Sequence, residues 1–232
     1  MRRKQWAGFA LVAASLVCLS GPGSAMAATV TAGDPNPGVG LGYAWTVSMN
    51  GNDTTAGSTP NYAGTVGSLS FNDPINAGDP IGTGWTHTSN WTALTLTEAA
   101  NLSVTLAQTT ANGLVPAFAL WSGQISAGGD HHTYNNSGNF DWSTANPLAD
   151  SSSLNYIGNE ANLGGLSSIT KNFSLGPGLY SLVFGGNPPP GTPGASVGYL
   201  ATLTTSPVPL PAAVWLFGSG VAGIIAFARR RM

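Results

Sequence analysis

The sequence predicts an all-β domain organised as an antiparallel β-sandwich. Glycine and proline together make up about 21% of the 232 residues (32 Gly and 16 Pro), compared with roughly 12% in average proteins. Charged residues account for only 7% of the chain, compared with about 25% in typical soluble domains. Short runs of Val, Thr, Leu and aromatic residues alternate with Gly, Pro, Asn, Asp and Ser, and no amphipathic helix interrupts them. This pattern is typical of short strands joined by polar turns.

Nine segments have the composition of strands, and they lie at 41–49, 64–71, 91–97, 101–108, 114–121, 153–158, 168–175, 178–185 and 197–204. The clearest is 101–108, where Leu102, Val104 and Leu106 fall on one face and polar residues on the other, as in a half-buried strand. Asn112-Gly113 predicts a turn before the next strand. The proline-rich run 187–194 cannot form regular structure and predicts a loop.

The first 27 residues are organised as a secretory signal peptide. They contain a basic n-region at residues 2–4, an uncharged, mostly apolar helix over 6–19, and a small–x–small pattern at Ala25 and Ala27. We therefore expect export through the Sec translocon and cleavage by signal peptidase immediately before Ala28. The mature domain is predicted to span 28–205.

Charges are distributed unevenly between the ends and the middle of the chain. Six of the seven basic residues lie at the termini, and all nine acidic residues lie between Asp34 and Glu160. Residues 28–205 therefore carry a formal charge of −8, with Lys171 as their only basic residue. Nucleic-acid binding is excluded, because it requires clustered Lys and Arg to neutralise phosphates. Removal of the signal peptide also removes Cys18, so the mature chain has no disulfide or thiolate site.

The C-terminal segment 206–232 has three parts. The motif 208–211 is followed by an uncharged, mostly apolar stretch, 212–228, and then by a basic cluster at 229–231. A helix rises about 1.5 Å per residue, so residues 208–228 reach roughly 30 Å, enough to cross a bilayer. The positive-inside rule keeps the cluster Arg229, Arg230 and Arg231 in the cytoplasm and leaves 28–205 outside.

This tail resembles the PEP-CTERM sorting signal of Gram-negative bacteria. The match is carried by Val208, Pro209, Leu210 and Pro211, a Val-Pro-Leu-Pro variant in which Leu210 stands where the named Pro-Glu-Pro core has Glu. The resemblance implies processing by exosortase, a membrane protease-transpeptidase, and a link to exopolysaccharide or biofilm production. It also implies an inner-membrane intermediate that precedes a final location at the cell surface, in the outer envelope or in the extracellular matrix, attached or released. The two prolines keep the motif extended, as a protease requires.

A second resemblance covers residues 85–203. Their succession of strands is similar to the jelly-roll-type sandwich of bacterial pre-peptidase C-terminal domains, and the match is carried by 91–96, 101–104, 116–121 and 173–180. The resemblance implies a jelly-roll-like ectodomain and carries no activity with it.

The polar loop 122–153 is the candidate binding region, because structureless loops of this length are usually functional or disordered. Three of its carboxylates would suit Ca²⁺, which prefers hard oxygen ligands: Asp130, Asp141 and Asp150. Two of its aromatic residues would stack on a sugar: Tyr134 and Trp142. Neither set has a recognised motif spacing, so a calcium site, a sugar site and a solvated polar loop all stay open.

Catalysis is not predicted. No positioned nucleophile–base pair is evident among the Ser, His and Asp residues of the sequence. Its only glutamates, Glu98 and Glu160, would cleave glycosides only if they lay about 5–10 Å apart. We therefore predict an exported structural or adhesive protein of the cell surface or exopolysaccharide matrix. The alternatives are a Ca²⁺-dependent carbohydrate-binding module and a secreted glycan hydrolase.

Overall fold

The computed structural model describes residues 25–33, 42–68, 70, 89–124, 154–187, 195–209 and 228. Within these residues the chain forms twelve β-strands in two six-stranded sheets. All nine predicted strands are present, with ends that differ from the prediction by up to four residues. The prediction of an all-β sandwich is confirmed.

Sheet A contains β1 (Met26–Ala27), β4 (Asp53–Thr54), β5 (Ala63–Gly67), β7 (Ala100–Gln108), β10 (Ser168–Leu175) and β12 (Ser196–Pro207). The strand order is β1-β4-β12-β7-β10, and β5 also pairs with β12. The twelve-residue β12 is central, because it pairs along one side with β7 and along the other with β5 and β4.

Sheet B contains β2 (Thr29–Ala32), β3 (Trp45–Met49), β6 (Asn90–Leu96), β8 (Val115–Ser122), β9 (Asn155–Glu160) and β11 (Gly178–Asn187). The strand order is β2-β3-β6-β11-β8-β9. The last described strand, β12, therefore lies at the centre of sheet A. Strand β11 lies between β6 and β8 inside sheet B.

The prediction of purely antiparallel sheets is wrong at two strand pairs. The pairs β1–β4 and β3–β6 are parallel, so both sheets are mixed. Composition and alternation mark where a strand lies but carry no information about the direction of its partner. The short strands β1, β2 and β4 were not predicted, because two to four residues are too few to display a period of two.

The main hydrophobic core lies between the two sheets. Strand β7 contributes Leu102, Val104 and Leu106, which are fully buried, as its alternation predicted. Tyr62, Phe184 and Tyr199 are packed in the same core, and consecutive ring centroids in this row are 5.5 and 5.3 Å apart. Edge-to-face and tilted aromatic contacts of this kind add to the stabilisation from buried area.

A second apolar cluster lies on the opposite face of sheet B. Alternate residues of β6 and β8, among them Trp91 and Trp121, point away from the main core and are nonetheless buried. The two indole rings stack at 5.4 Å, and Tyr156 meets Trp121 edge-on at 5.9 Å. Sheet B therefore has apolar residues buried on both faces, which explains its near-continuous hydrophobic strands.

The only basic residue of the predicted domain is used at an edge of the sandwich. Lys171 lies on β10, where its Cα partner is the inward-facing Val104 of β7. Its Nζ donates a hydrogen bond to the carbonyl oxygen of Asn159 on β9. Because β10 and β9 are the outermost strands of their sheets on this side, the contact joins two edges that would otherwise be open.

Candidate functional site

The predicted sorting motif begins directly after the last described strand of the sandwich. The last paired residue of β12 is Pro207, opposite Ala100 of β7. Val208 and Pro209 follow outside the strand and are exposed. Leu210 and Pro211 lie outside the described residues, as do Arg229, Arg230 and Arg231.

The predicted transmembrane helix, 212–228, lies outside the described residues except for Ala228. Among the residues that are described, no helix is long and apolar enough to span a membrane. The predicted helix is therefore untested and stays a prediction.

The predicted signal-peptide cleavage site lies at the start of the described chain. Ala25 and Ala27 are exposed, and Ala27 belongs to the two-residue strand β1. The backbone N–H of Ala28 donates to the carbonyl oxygen of Thr54 at 2.9 Å, and β2 begins at the next residue. A cut before Ala28 would remove β1 alone and leave β2 and β3 paired.

The predicted binding residues of the long loop lie outside the described residues. These are Asp130, Asp141, Asp150, Tyr134 and Trp142. Among the described residues, no three His, Cys, Asp or Glu side chains come together as metal ligands. The carboxylate of Asp53, which is buried, closes the β3–β4 turn by accepting the N–H of Asn50 at 2.7 Å. The predicted calcium and sugar sites therefore stay predictions.

The register of sheet B separates the two glutamates. Glu160 of β9 pairs with Phe118 of β8, Phe118 pairs with Phe184 of β11, and Phe184 pairs with Asn90 of β6. Glu160 therefore lies level with the first residue of β6. Glu98 follows Leu96, the last residue of the same strand. Six residues of strand correspond to about 20 Å at roughly 3.3 Å each, well beyond the separation of a glycosidase pair. The register therefore places these two carboxylates farther apart than the condition stated above for glycoside cleavage allows.

The outer face of sheet A carries a polar surface that is not among the predicted sites. Strands β12, β7 and β10 are adjacent, and their outward residues align in three cross-strand rows: Thr202–Thr105–Thr170, Thr204–Ser103–Asn172 and Ser206–Asn101–Ser174. We name these nine residues the hydroxyl–amide face. Every member is Ser, Thr or Asn, and four of the inward residues between them, Leu102, Val104, Phe173 and Leu203, belong to the core.

Most side chains of this face are available for hydrogen bonding. Thr105 and Thr170 bond to each other at 2.8 Å, and Thr204 bonds to Thr54 of β4 at 3.2 Å. Among the described residues, the other side chains of the face have no protein hydrogen-bond partner, and these are Asn101, Ser103, Asn172, Ser174, Thr202 and Ser206. Hydroxyl and amide groups both donate and accept. The face therefore presents both hydrogen-bond donors and hydrogen-bond acceptors.

The second and third of these rows, which contain Ser103 and Asn101 respectively, border a shallow cleft of about 480 Å³. The cleft is lined by Asn101, Ser103, Asn172, Phe173, Ser174, Thr204 and Ser206. Sequence reasoning missed this site. Part of its signal was present as alternating polar residues, which run through the predicted strand 168–175, through 101–105 of the next and through Thr202 and Thr204 of the third. What the sequence lacked was the pairing order that brings those strands together.

Comparison with protein-family models gives no match, and comparison with curated proteins gives none either. Two solved structures are similar in part. CorA, a surface-associated copper-binding protein important in copper acquisition in Methylomicrobium album BG8, is 15% identical with a TM-score of 0.45 and covers 70% of this chain and 100% of its own. MopE is a secreted protein of Methylococcus capsulatus in which an oxidized tryptophan facilitates copper binding. It is 14% identical with a TM-score of 0.37, and the match covers 80% of this chain and 100% of the MopE chain. At this level of similarity, the ligand of either protein does not transfer to this chain.

Proposed function

We propose that this chain is an exported structural or adhesive protein of the cell envelope or extracellular matrix, whose β-sandwich is separated from a C-terminal sorting signal by exosortase. The observation that carries the proposal is the position of the motif relative to the fold. The core residues run from Val30 to Leu203. The exposed Val208 and Pro209 follow directly after the last strand.

Proline chemistry explains why the strand stops at this point. Pro207, Pro209 and Pro211 have no N–H to donate, so β12 cannot continue its ladder through the motif. Val208 and Pro209 accordingly follow Pro207 outside the strand. An extended, unpaired peptide between a folded domain and a membrane segment is a suitable substrate for a membrane protease.

Removal of both ends would leave the sandwich intact. The N-terminal cut costs the two-residue β1, and a cut within 208–211 costs no described strand. The mature domain would then carry the charge of −8 and no cysteine. Net charge of this size favours solubility outside the cell.

The proposal is tested by producing the full chain in an exosortase-containing Gram-negative host and measuring the intact mass of the exported protein. We expect a product that starts at Ala28 and lacks the Arg cluster. Replacing Pro209 and Pro211 by alanine should cause uncut protein to accumulate in the inner membrane. Pro177→Ala, in the exposed turn between β10 and β11, is the matched control and should be processed normally. Exported protein that still contains Arg231 would contradict the proposal.

A further inference from the structure

The outer face of sheet A carries no charge among the described residues. The outward positions of β4, β5, β7, β10 and β12 are occupied by Ser, Thr, Asn, Gly, Ala and Leu. Asp53 and Lys171 lie on strands of this sheet but point inward, the first buried and the second bonded to Asn159. In a domain with a net charge of −8, this is a neutral surface. An uncharged surface neither attracts nor repels ions strongly, so it suits a ligand that is itself neutral.

The arrangement of hydrogen-bonding groups indicates a repetitive ligand. Neighbouring strands are about 4.8 Å apart, and successive outward residues on one strand are about 6.7 Å apart. The hydroxyl–amide face is therefore a regular grid in both directions. A linear chain lying across β12, β7 and β10 would meet a hydroxyl or amide at each strand, at a spacing close to the width of a sugar ring.

Two apolar side chains adjoin the grid. The next row along the same strands is Leu200–Ala107–Ser168, in which Leu200 and Ala107 are apolar and Leu200 is 44% exposed. Sugar rings combine hydroxyl edges with apolar C–H faces, so polar rows beside two apolar side chains suit both parts of the ring.

We propose that the hydroxyl–amide face binds an extended neutral polysaccharide, independently of Ca²⁺. This inference rests on the adhesive role proposed above, because the polysaccharide is the partner to which the protein would adhere. Binding at the face does not itself require processing by exosortase. Asn101 and Asn172, on adjacent strands and both bordering the cleft, supply its amide donors and acceptors. The serine and threonine hydroxyls supply the remainder. Each bond exchanges with water and contributes little alone, so binding depends on several rows acting together.

The test uses the full chain purified in mild detergent, so that it does not depend on export or processing. Retention is measured by affinity electrophoresis in gels containing dextran, laminarin or galactomannan, and in gels containing anionic alginate with and without Ca²⁺. We expect retardation by at least one neutral polysaccharide that EDTA does not change. Retardation by alginate alone, or only with Ca²⁺, would overturn the proposal.

Isosteric variants locate the binding surface. The double substitution Asn101→Asp and Asn172→Asp removes two amide donors and places two negative charges on the face, so we expect affinity to fall at least about tenfold. Asn155→Asp makes the same change at an exposed position of β9 in sheet B and should leave affinity unchanged. Unaltered binding by the double variant would show that the ligand sits elsewhere. If the double variant changes only the oligomeric state in sedimentation, the face joins two copies of the chain and the proposal is wrong.

Discussion

The indole Nε1 of Trp45 donates a hydrogen bond to the phenolic oxygen of Tyr199 at 3.0 Å, and this bond crosses the core from sheet B to sheet A. The same oxygen accepts a second bond from Asn90 Nδ2 at 3.1 Å. Nearby, the hydroxyls of Tyr62 and Thr92 bond at 2.5 Å, again between the sheets. These polar contacts hold the two sheets in one relative position, because a shift would leave buried donors without acceptors.

Substitution of Tyr199 by phenylalanine should therefore destabilise the fold. The ring would still fill its place, but Trp45 and Asn90 would lose their common acceptor, at a cost of about 1–3 kcal/mol in the free energy of unfolding. The control is Tyr180→Phe, whose hydroxyl donates to the exposed carbonyl of Gly176, which water can satisfy. Urea unfolding measures both, and equal losses would contradict the bridging role of Tyr199.

Stability should fall steeply at alkaline pH. Burial raises the pKa of Tyr62 well above its ordinary value of 10.0, and burial also raises the pKa of Tyr199. Below pH 10 both tyrosines are neutral whether the chain is folded or unfolded, so they impose no pH dependence. Above pH 10 the unfolded chain releases protons that the folded chain retains, and each buried tyrosine lowers stability by up to about 1.4 kcal/mol per pH unit.

The tyrosine contribution is separated by comparing urea midpoints between pH 8 and 11. Tyr62→Phe should flatten the alkaline decline, even though it loses the bond to Thr92 at every pH. Tyr156→Phe, at a residue that is 39% exposed, should flatten it less. An alkaline slope that Tyr62→Phe leaves unchanged would refute this account.

Gly64 is required by the same polar centre. A Cβ at this position would lie 2.8 Å from both Asn90 Nδ2 and the Tyr199 hydroxyl. Gly64→Ala should cost about 1–3 kcal/mol, as overpacking does. Gly176→Ala places a methyl group where no atom lies within 4 Å and should change stability by less than about 0.5 kcal/mol. Thermal melts of the two variants provide the comparison.

The end of β12 should mark the end of the folding unit. A chain that stops after Pro209 keeps every described strand, so its melting temperature should equal that of the full chain. A chain that stops after Leu200 loses seven of the nine residue pairs between β12 and β7, together with the pair to β4, and should not fold. Near-ultraviolet circular dichroism of both truncations distinguishes these outcomes, and a folded shorter chain would contradict the central position of β12.

Calcium binding by the long loop remains a prediction of the sequence. If Asp130, Asp141 and Asp150 bind Ca²⁺ in the folded state, added CaCl₂ should raise the melting temperature by linkage, and replacing all three by Asn should abolish the rise. A melting temperature that is indifferent to Ca²⁺ would dismiss the site. Because the hydroxyl–amide face is predicted to act without Ca²⁺, this experiment and the polysaccharide test are independent.

The sequence by itself determined nine of the twelve described strands and, in the clearest of them, which residues face inward. Periodicity is a local property, so Leu102, Val104 and Leu106 could be assigned to a buried face before their partners were known. The pattern of terminal segments likewise depends only on local composition, and the predicted domain boundary near residue 205 lies two residues before β12 ends.

Only the tertiary structure decided which strands are neighbours. The parallel pairing of β3 with β6 and the alignment of Thr204, Ser103 and Asn172 on three adjacent strands depend on contacts between segments far apart in sequence. It also decided that Glu98 and Glu160 lie at different levels of sheet B. Strand pairing uses backbone groups that every residue except proline possesses, so side-chain patterns leave the partner open until the whole core is packed.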